Sequence, residues 1–315
     1  MIKLDIKDKK MLSRLDTDCR MPISKLSKEI GLSRDAVLYR MKKLEREGLI
    51  TGHHAIVDFS RLGYKMYRYM IKLYAIQKQE YEALLKVLND SKEVFWIGET
   101  DGFIDLTIGI WTKSSEELNN FCNLVSGKFR KFIKKEFINE VVSYSYLHRK
   151  YFEKRTFSEW KIASNEKEKF DDIDLKIILI LSTNARTPLI EISEKVNLDS
   201  SSLIYRIKQL EKKKIILGYK AEINLEKIER ELYSVKCYLS NSTKKGELIL
   251  YLHSQNAVTN FTEAIGGWDL EFDMEISSNE EYHRIVRDLK EKFDSVLEIE
   301  FYRVIRTLKT AKILN

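Results

Sequence analysis

The chain has 315 residues, 33% of them charged and 43% apolar, with 12 Gly, 2 Pro, 3 Cys and a net charge of +7. This balance belongs to a globular protein and excludes a disordered, collagen-like or disulfide-stapled one; at roughly 100–200 residues per domain it predicts two to four compact units. No apolar run approaches a bilayer span and the N-terminus enters alternating charge without an apolar leader, so a cytoplasmic location is expected and a membrane partner is not.

The first predicted element is a helix in which Leu4, Met11, Leu12 and Leu15 fall at helical spacing, with Asp5 and Asp8 suited to the N-cap and the positive first turn. Pro22 fits the first turn of a second helix, which ends at Gly31. Ser33 caps a third, whose buried stripe is Val37, Met41 and Leu44. Residues 50–58 then read as a two-stranded wing. Beyond them the period changes to two, with strands at 67–73, 94–99, 103–111 and 137–147 and helices at 80–88 and 114–134. That β-α-β-β-α-β order is the ferredoxin-like plan. Residues 150–169 are charge-rich, lack Pro and Gly, and read as a solvated linker compatible with a helix.

The plan then recurs. At an offset of 166, residues 4–58 match 170–224 without a gap, with 17 of 55 positions identical, and both prolines fall on one repeat position. The expected class is therefore α+β: two copies of a winged helix-turn-helix domain followed by a ferredoxin-like domain. The expected units are 1–60, 61–149, a linker at 150–169, 170–226 and 227–315.

The residues Leu4-Asp5-x-x-Asp8-x-x-Met11-Leu12, Leu26-Ser27-Lys28-Glu29-Ile30-Gly31-Leu32-Ser33 and Val37-x-x-Arg40-x-x-x-Leu44-Glu45-x-x-Gly48-x-Ile50-x-Gly52 resemble the Lrp/AsnC family of prokaryotic regulators. Family members commonly carry one copy per chain, whereas this chain fuses two. The second copy departs locally, with Asn197 for Gly31, Asp199 for Ser33 and Lys214 for Gly48. The resemblance implies a reader of double-stranded DNA joined to a domain that pairs subunits and often binds an amino acid. It therefore implies self-association through the ferredoxin-like domains as an intrachain pseudo-dimer, possible higher assembly, and an amino-acid-like effector.

Burying Val37, Met41 and Leu44 turns Arg34, Asp35, Leu38, Tyr39 and Lys42 outward, as a helix entering the major groove requires. Arg34 suits a base edge, while Ser33, Tyr39, Arg40 and Lys43 suit phosphates. The counterparts in the second reader are Ser200, Ser201, Tyr205, Arg206 and Lys208. Arg40 and Arg206 equally suit a carboxylate inside the domain. Residues 1–60 carry 13 basic and 9 acidic side chains, against 9 and 8 across 170–224, so the first reader is expected to dominate.

Gly102, Asp105, Gly266 and Asp269 are the effector-site candidates, by the family's glycine–aspartate turn and because such turns expose backbone N–H groups; the other reading is a turn glycine and a ladder-end aspartate. No catalytic constellation, metal-ligand spacing or phosphate loop is present, so neither enzymatic activity, a metal nor a cofactor is expected. Two other readings stand beside the regulator. One is a siroheme decarboxylase, a fold-relative of the family that also occurs as fused pairs; the other is an effector-sensing or assembly module without DNA binding.

Overall fold

The computed structural model describes residues 2–154, 159–163 and 166–310; Met1, the linker positions 155–158 and 164–165, and residues 311–315 of the last expected unit lie outside the described residues. The first copy runs α1 (Ile6–Leu15), α2 (Ile23–Ile30), α3 (Arg34–Arg46), β1 (Ile50–Val57), β2 (Lys65–Leu73), α4 (Lys78–Asp90), β3 (Val94–Gly102), β4 (Leu106–Thr112), α5 (Ser115–Phe129) and β5 (Ile133–Tyr146). A short strand, β6 (Trp160–Ala163), follows. The second copy repeats the order as α6 (Asp172–Thr183), α7 (Leu189–Val196), α8 (Ser200–Lys212), β7 (Ile216–Ile223), β8 (Glu231–Leu239), α9 (Lys245–Ser254), β9 (Val258–Ile265), β10 (Leu270–Ile276), α10 (Asn279–Lys292) and β11 (Val296–Thr310).

Local chemistry sets the helix ends. The Asp5 carboxylate accepts from the Asp8 N–H at 2.7 Å while that of Asp8 accepts from the Asp5 N–H at 3.2 Å, a reciprocal cap repeated by Asp171 and Asp174. Pro22 and Pro188 stand one position earlier than expected, at the N-caps of α2 and α7. Gly31 ends α2 at φ +72° and Asn197 ends α7 at φ +53°; Gly48 and Lys214 repeat the exchange at +72° and +55°. The second copy thus keeps both left-handed turns without glycine, and the β-carbon on Lys214 costs about 1 kcal/mol.

The expected two-stranded wing in each copy is corrected. Each copy supplies one strand, and β1 pairs antiparallel with β7 across the copies, with His53 opposite Ala221 and Ala55 opposite Tyr219. Cys19 donates its N–H to the Tyr219 carbonyl at 3.0 Å, and Ala185 donates to His53 at 2.8 Å. Arg186 reaches the Cys19 carbonyl at 2.6 Å, and Arg20 answers from the other side on Ala185. Beneath this clasp, Leu12, Leu15, Leu26, Val37 and Leu44 share one apolar core with Ile178, Leu181, Ile192, Leu203 and Leu210. The two three-helix units are therefore one body.

The remaining strands form two antiparallel groups of four, in the orders β5-β2-β4-β3 and β11-β8-β10-β9. β3 pairs with β11 and β5 with β9, so the eight strands close into a barrel-like ring, and β6 adds to the end of β5. Helices cover the outside: Leu84, Leu88, Phe121 and Val125 of α4 and α5 pack on Tyr69, Ile71 and Ile108. Leu248, Leu252, Ile285 and Leu289 of α9 and α10 pack on Val235, Phe272 and Met274. Two expectations are corrected here. The helix expected over 114–134 stops at Phe129, because Ile133 already pairs with Leu73. The helix-compatible linker holds β6, drawn in where the Trp160 indole lies so close to Gly218 that a β-carbon there would meet it at 2.4 Å.

Because side chains alternate along a strand, the residues between those apolar positions face the space between the two groups. There Arg68 of β2 pairs with Glu271 of β10, which also lies 3.2 Å from Lys236 of β8. Burial raises the Glu271 carboxyl, and the two cations more than offset it, so it stays below its ordinary range. Asp273, two residues along the same strand, is pushed up to about 6 by burial; Arg68 opposes the shift and the Glu271 carboxylate adds to it. Lys236 and Ser234 of β8 also face Asp273, the Asn260 amide donates to it at 3.4 Å, and the Tyr144 phenol lies in the same buried cluster.

With a native pKa above the unfolded one, Asp273 holds a proton between about pH 4 and 6 that the unfolded chain has lost, so its contribution to stability falls as pH rises through that window. Asp273→Asn is expected to flatten the stability profile there and to stabilise the chain at pH 7.5 by about 1–3 kcal/mol. Denaturant titrations of both proteins at pH 5 and 7.5 check this; an equal loss at both values contradicts it.

Candidate nucleic-acid interface

The third helix of each copy is held by the first. Arg40 on α3 donates to Asp5 and Asp8, both at 2.7 Å, the same two carboxylates that cap α1. Arg206 on α8 does the same with Asp171 and Asp174 at 2.8 Å. The backbone N–H of Asp8 and then Arg40 hold the Asp5 carboxyl below its usual range, and Asp171 is lowered by the equivalent pair. Of the two uses open to these arginines, the carboxylate clamp is the one present. It fixes the angle between the first and third helices, which aims the outer face of α3.

On that face Val37, Met41 and Leu44 are buried, as their spacing requires. Ser33, Arg34, Asp35, Tyr39, Lys42 and Lys43 are exposed; Leu38 is half-buried against the core, a departure from the outward position expected for it. Ser33 accepts from the Ala36 N–H at 3.2 Å, and Lys43 lies 3.9 Å from Glu47. Arg34, Tyr39 and Lys42 stand clear of ion pairs among the described residues, and Tyr39 is 65% exposed. The helix thus offers a cation at its N-terminal end, a phenol one turn on and two lysines beyond, a set suited to a base edge and flanking phosphates.

α8 offers less. Its N-cap Asp199 accepts from the Ser201 and Ser202 hydroxyls and backbone N–H groups, which hold its carboxyl well below the ordinary range. Ser200 and Ser201 are exposed, as are Lys208 and Tyr205, the last at 63%. Ser200 stands where α3 carries Arg34, and Asp199 stands where α3 has its N-cap Ser33.

The four turn residues lie elsewhere in the ring, the glycines at its seams and the aspartates at ladder ends within each group of four. Asp105 accepts from the Leu73 N–H at 2.6 Å and from Lys72 at 2.7 Å, and Asp269 accepts from the Leu239 N–H at 2.7 Å. Both carboxylates close the end of a ladder. Gly102, at φ +133°, faces β11 so closely that a β-carbon would meet the Phe301 carbonyl at 2.8 Å. Asn139 donates to the Gly266 carbonyl across the other seam. Among the described residues no cluster of His, Cys, Asp or Glu is placed to hold a metal, and no helix is long and apolar enough to cross a membrane.

Sequence reasoning missed the Arg20–Arg186 clasp, although both recur at one repeat position beside the prolines. It also missed the ion network linking readers to ring. Arg149 bonds Asp16, at the end of α1, and Glu275, at the end of β10, at 2.7 and 2.8 Å, while Lys220 of β7 lies 3.3 Å from Asp16. Burial raises the Asp16 carboxyl, but Lys220 and Arg149 outweigh it and the net shift is down. A lone Asp at a helix end carries no pattern that names such partners.

Residues 4–45 match the AsnC-type helix-turn-helix domain and residues 170–216 a winged helix-turn-helix DNA-binding domain. The chain is 35% identical over 124 residues to the HTH-type transcriptional regulator FL11 of Pyrococcus horikoshii, covering 39% of this chain and 81% of that protein. It is 28% identical over 120 residues to the regulatory protein AsnC of Haemophilus influenzae, covering 38% and 79%. Among solved structures, the siroheme decarboxylase NirDL superposes with a TM-score of 0.66 at 16% identity, covering 98% of this chain and 94% of that one. This last likeness corrects one expectation. The lack of a recognisable catalytic motif argued against an enzyme, yet nearly the whole architecture recurs in one, so the fold leaves enzymatic activity open.

Arg40→Gln is expected to lower stability by about 1 kcal/mol by releasing one exposed and one half-buried charge-assisted bond, and Arg206→Gln by a similar amount. Denaturant titration of each variant measures it; no change in either shows that the clamps are not holding the helices.

Proposed function

The chain belongs to the Lrp/AsnC family of transcriptional regulators, and from that premise we propose that it binds double-stranded DNA sequence-specifically, with α3 as the principal reader and α8 as a weaker or differently specific one. The observation that carries this reading is the contrast at the two leading turns. Arg34 is exposed on α3 and clear of ion pairs among the described residues, whereas on α8 Ser200 takes its place beside the N-cap Asp199. The clasp between copies favours a single rigid unit, hence two half-sites at fixed spacing on an imperfectly palindromic operator.

In this reading 1–60 and 170–226 are the readers, and 61–149 and 227–315 are ferredoxin-like domains that pair as two subunits would, joined by 150–169. The strand orders of the ring support that assignment. Ser33, Tyr39, Lys42 and Lys43 contact phosphates, with Ser200, Ser201, Tyr205 and Lys208 as the weaker counterpart, in a protein acting in the cytoplasm. An amino-acid-like effector meets the seam turns at Gly102 and Gly266 in this reading; Asp105 and Asp269 shape those turns by holding the ladder ends.

Mobility-shift titration against genomic fragments tests the reading: a salt-sensitive, sequence-selective shift is expected, and its absence refutes it. Arg34→Ala is expected to lose about 1–3 kcal/mol of discrimination between operator and random duplex, while Ser200→Ala loses less. A second reading, decarboxylation of a siroheme-type tetrapyrrole, is favoured by the likeness over 98% of the chain. A Soret band on titration with siroheme, together with released carbon dioxide, supports it.

A further inference from the structure

Lys236 lies on β8 with its side chain turned between the two groups of strands, and it is 0% exposed. Its Nζ stands 4.1 Å from the centroid of the Tyr302 ring, 4.6 Å from that of Trp268 and 5.7 Å from that of Phe103. The same nitrogen lies 3.2 Å from Glu271 Oε1 and donates to Ser234 Oγ at 3.3 Å. Phe103 comes from the first copy and the other rings from the second, and Arg68 of the first copy shares the Glu271 carboxylate.

Three aromatic faces and a carboxylate around one ammonium group form the set by which a free organic cation is recognised, since each ring face is electron-rich and the carboxylate neutralises the charge. Two buried polar atoms on these same side chains, Glu271 Oε2 and Trp268 Nε1, find no hydrogen-bond partner among the described residues. A nitrogen held on a four-carbon arm has not been positioned to satisfy Glu271 on both oxygens. We propose that this cluster is a recognition site for a primary ammonium group occupied from within: Lys236 is its tethered ligand and holds the seam between the copies in the filled arrangement. The site is single, because the first copy has Met70 where Lys236 stands and Ile104 where Trp268 stands. Tethering gives the occupant an effective concentration that free amines do not match, so the filled state does not depend on their supply. None of this requires the DNA-binding reading.

Lys236→Ala in the full chain removes three carbons and the nitrogen, the atoms of n-propylammonium. Calorimetric titration and thermal melts with n-propylammonium are expected to give saturable binding and a raised melting temperature in this variant, at least about tenfold tighter than n-propanol. Wild type, and Lys236→Met, whose arm still fills the cage, are expected to give neither. Equal responses to amine and alcohol, or a response of wild type matching that of the alanine variant, overturn the proposal. If Lys236→Ala does not fold unaided, refolding from denaturant decides: recovery that depends on n-propylammonium supports the site, and recovery unaffected by it overturns the site.

Discussion

A β-strand with an unpaired edge leaves a row of N–H and C=O groups to be satisfied, and this constraint governs the whole molecule. Among the described residues, the single strand that follows the three helices in each copy pairs with no strand of its own copy, and each group of four strands ends in two open edges. All of these edges are met by the other copy: β1 by β7, β3 by β11 and β5 by β9. The backbone thereby ties the two copies together at three places. The shared apolar core under the readers adds the burial that a short two-stranded ribbon lacks on its own.

The same pairing sets how the helical units and the ring are joined. Arg149 touches the last turn of α1 and the end of β10 in one side chain, with Lys220 from the shared ribbon beside it. These charges are buried, so separating any pair strands an unpaired ion at a cost of several kcal/mol. The Glu275 end of the ring and the end of α1 are therefore held together by buried ion pairs. The clamp of Arg40 on Asp5 and Asp8 fastens the other end of α1 to α3.

Much of the fold was legible, because helix caps, prolines and apolar stripes are local signals that the duplication presents twice. Asp5 with Asp8, Pro22, Gly31 and Ser33 mark their helix ends in the chain itself, and Asp171, Pro188 and Asn197 repeat the marks. What escaped was non-local. Nothing in the string Ile50 to Asp58 says that its partner lies more than 150 residues away, so a hairpin was the natural expectation. Trp160 reads as part of a charged linker until Gly218 is seen to leave room for its indole. Leu38 sat on the outward arc by helical spacing, but the neighbouring core reaches it. The seam cluster was illegible for a further reason: Arg68, Lys236 and Glu271 each look like a solvated charge on an alternating strand, and only closure of the ring buries them together.

In a symmetric dimer every substitution is imposed on both sides of the axis at once. An arginine placed to meet a glutamate must then be tolerated twice. Fusion lifts that restriction, and the meeting of Arg68 with Glu271 is a mark of it: at the corresponding places the chain has Ser234 and Thr107, an uncharged pair. The leading turns of the two readers have drifted apart under the same freedom. A duplicated chain of this kind keeps the geometry of a two-fold assembly while letting each position evolve once.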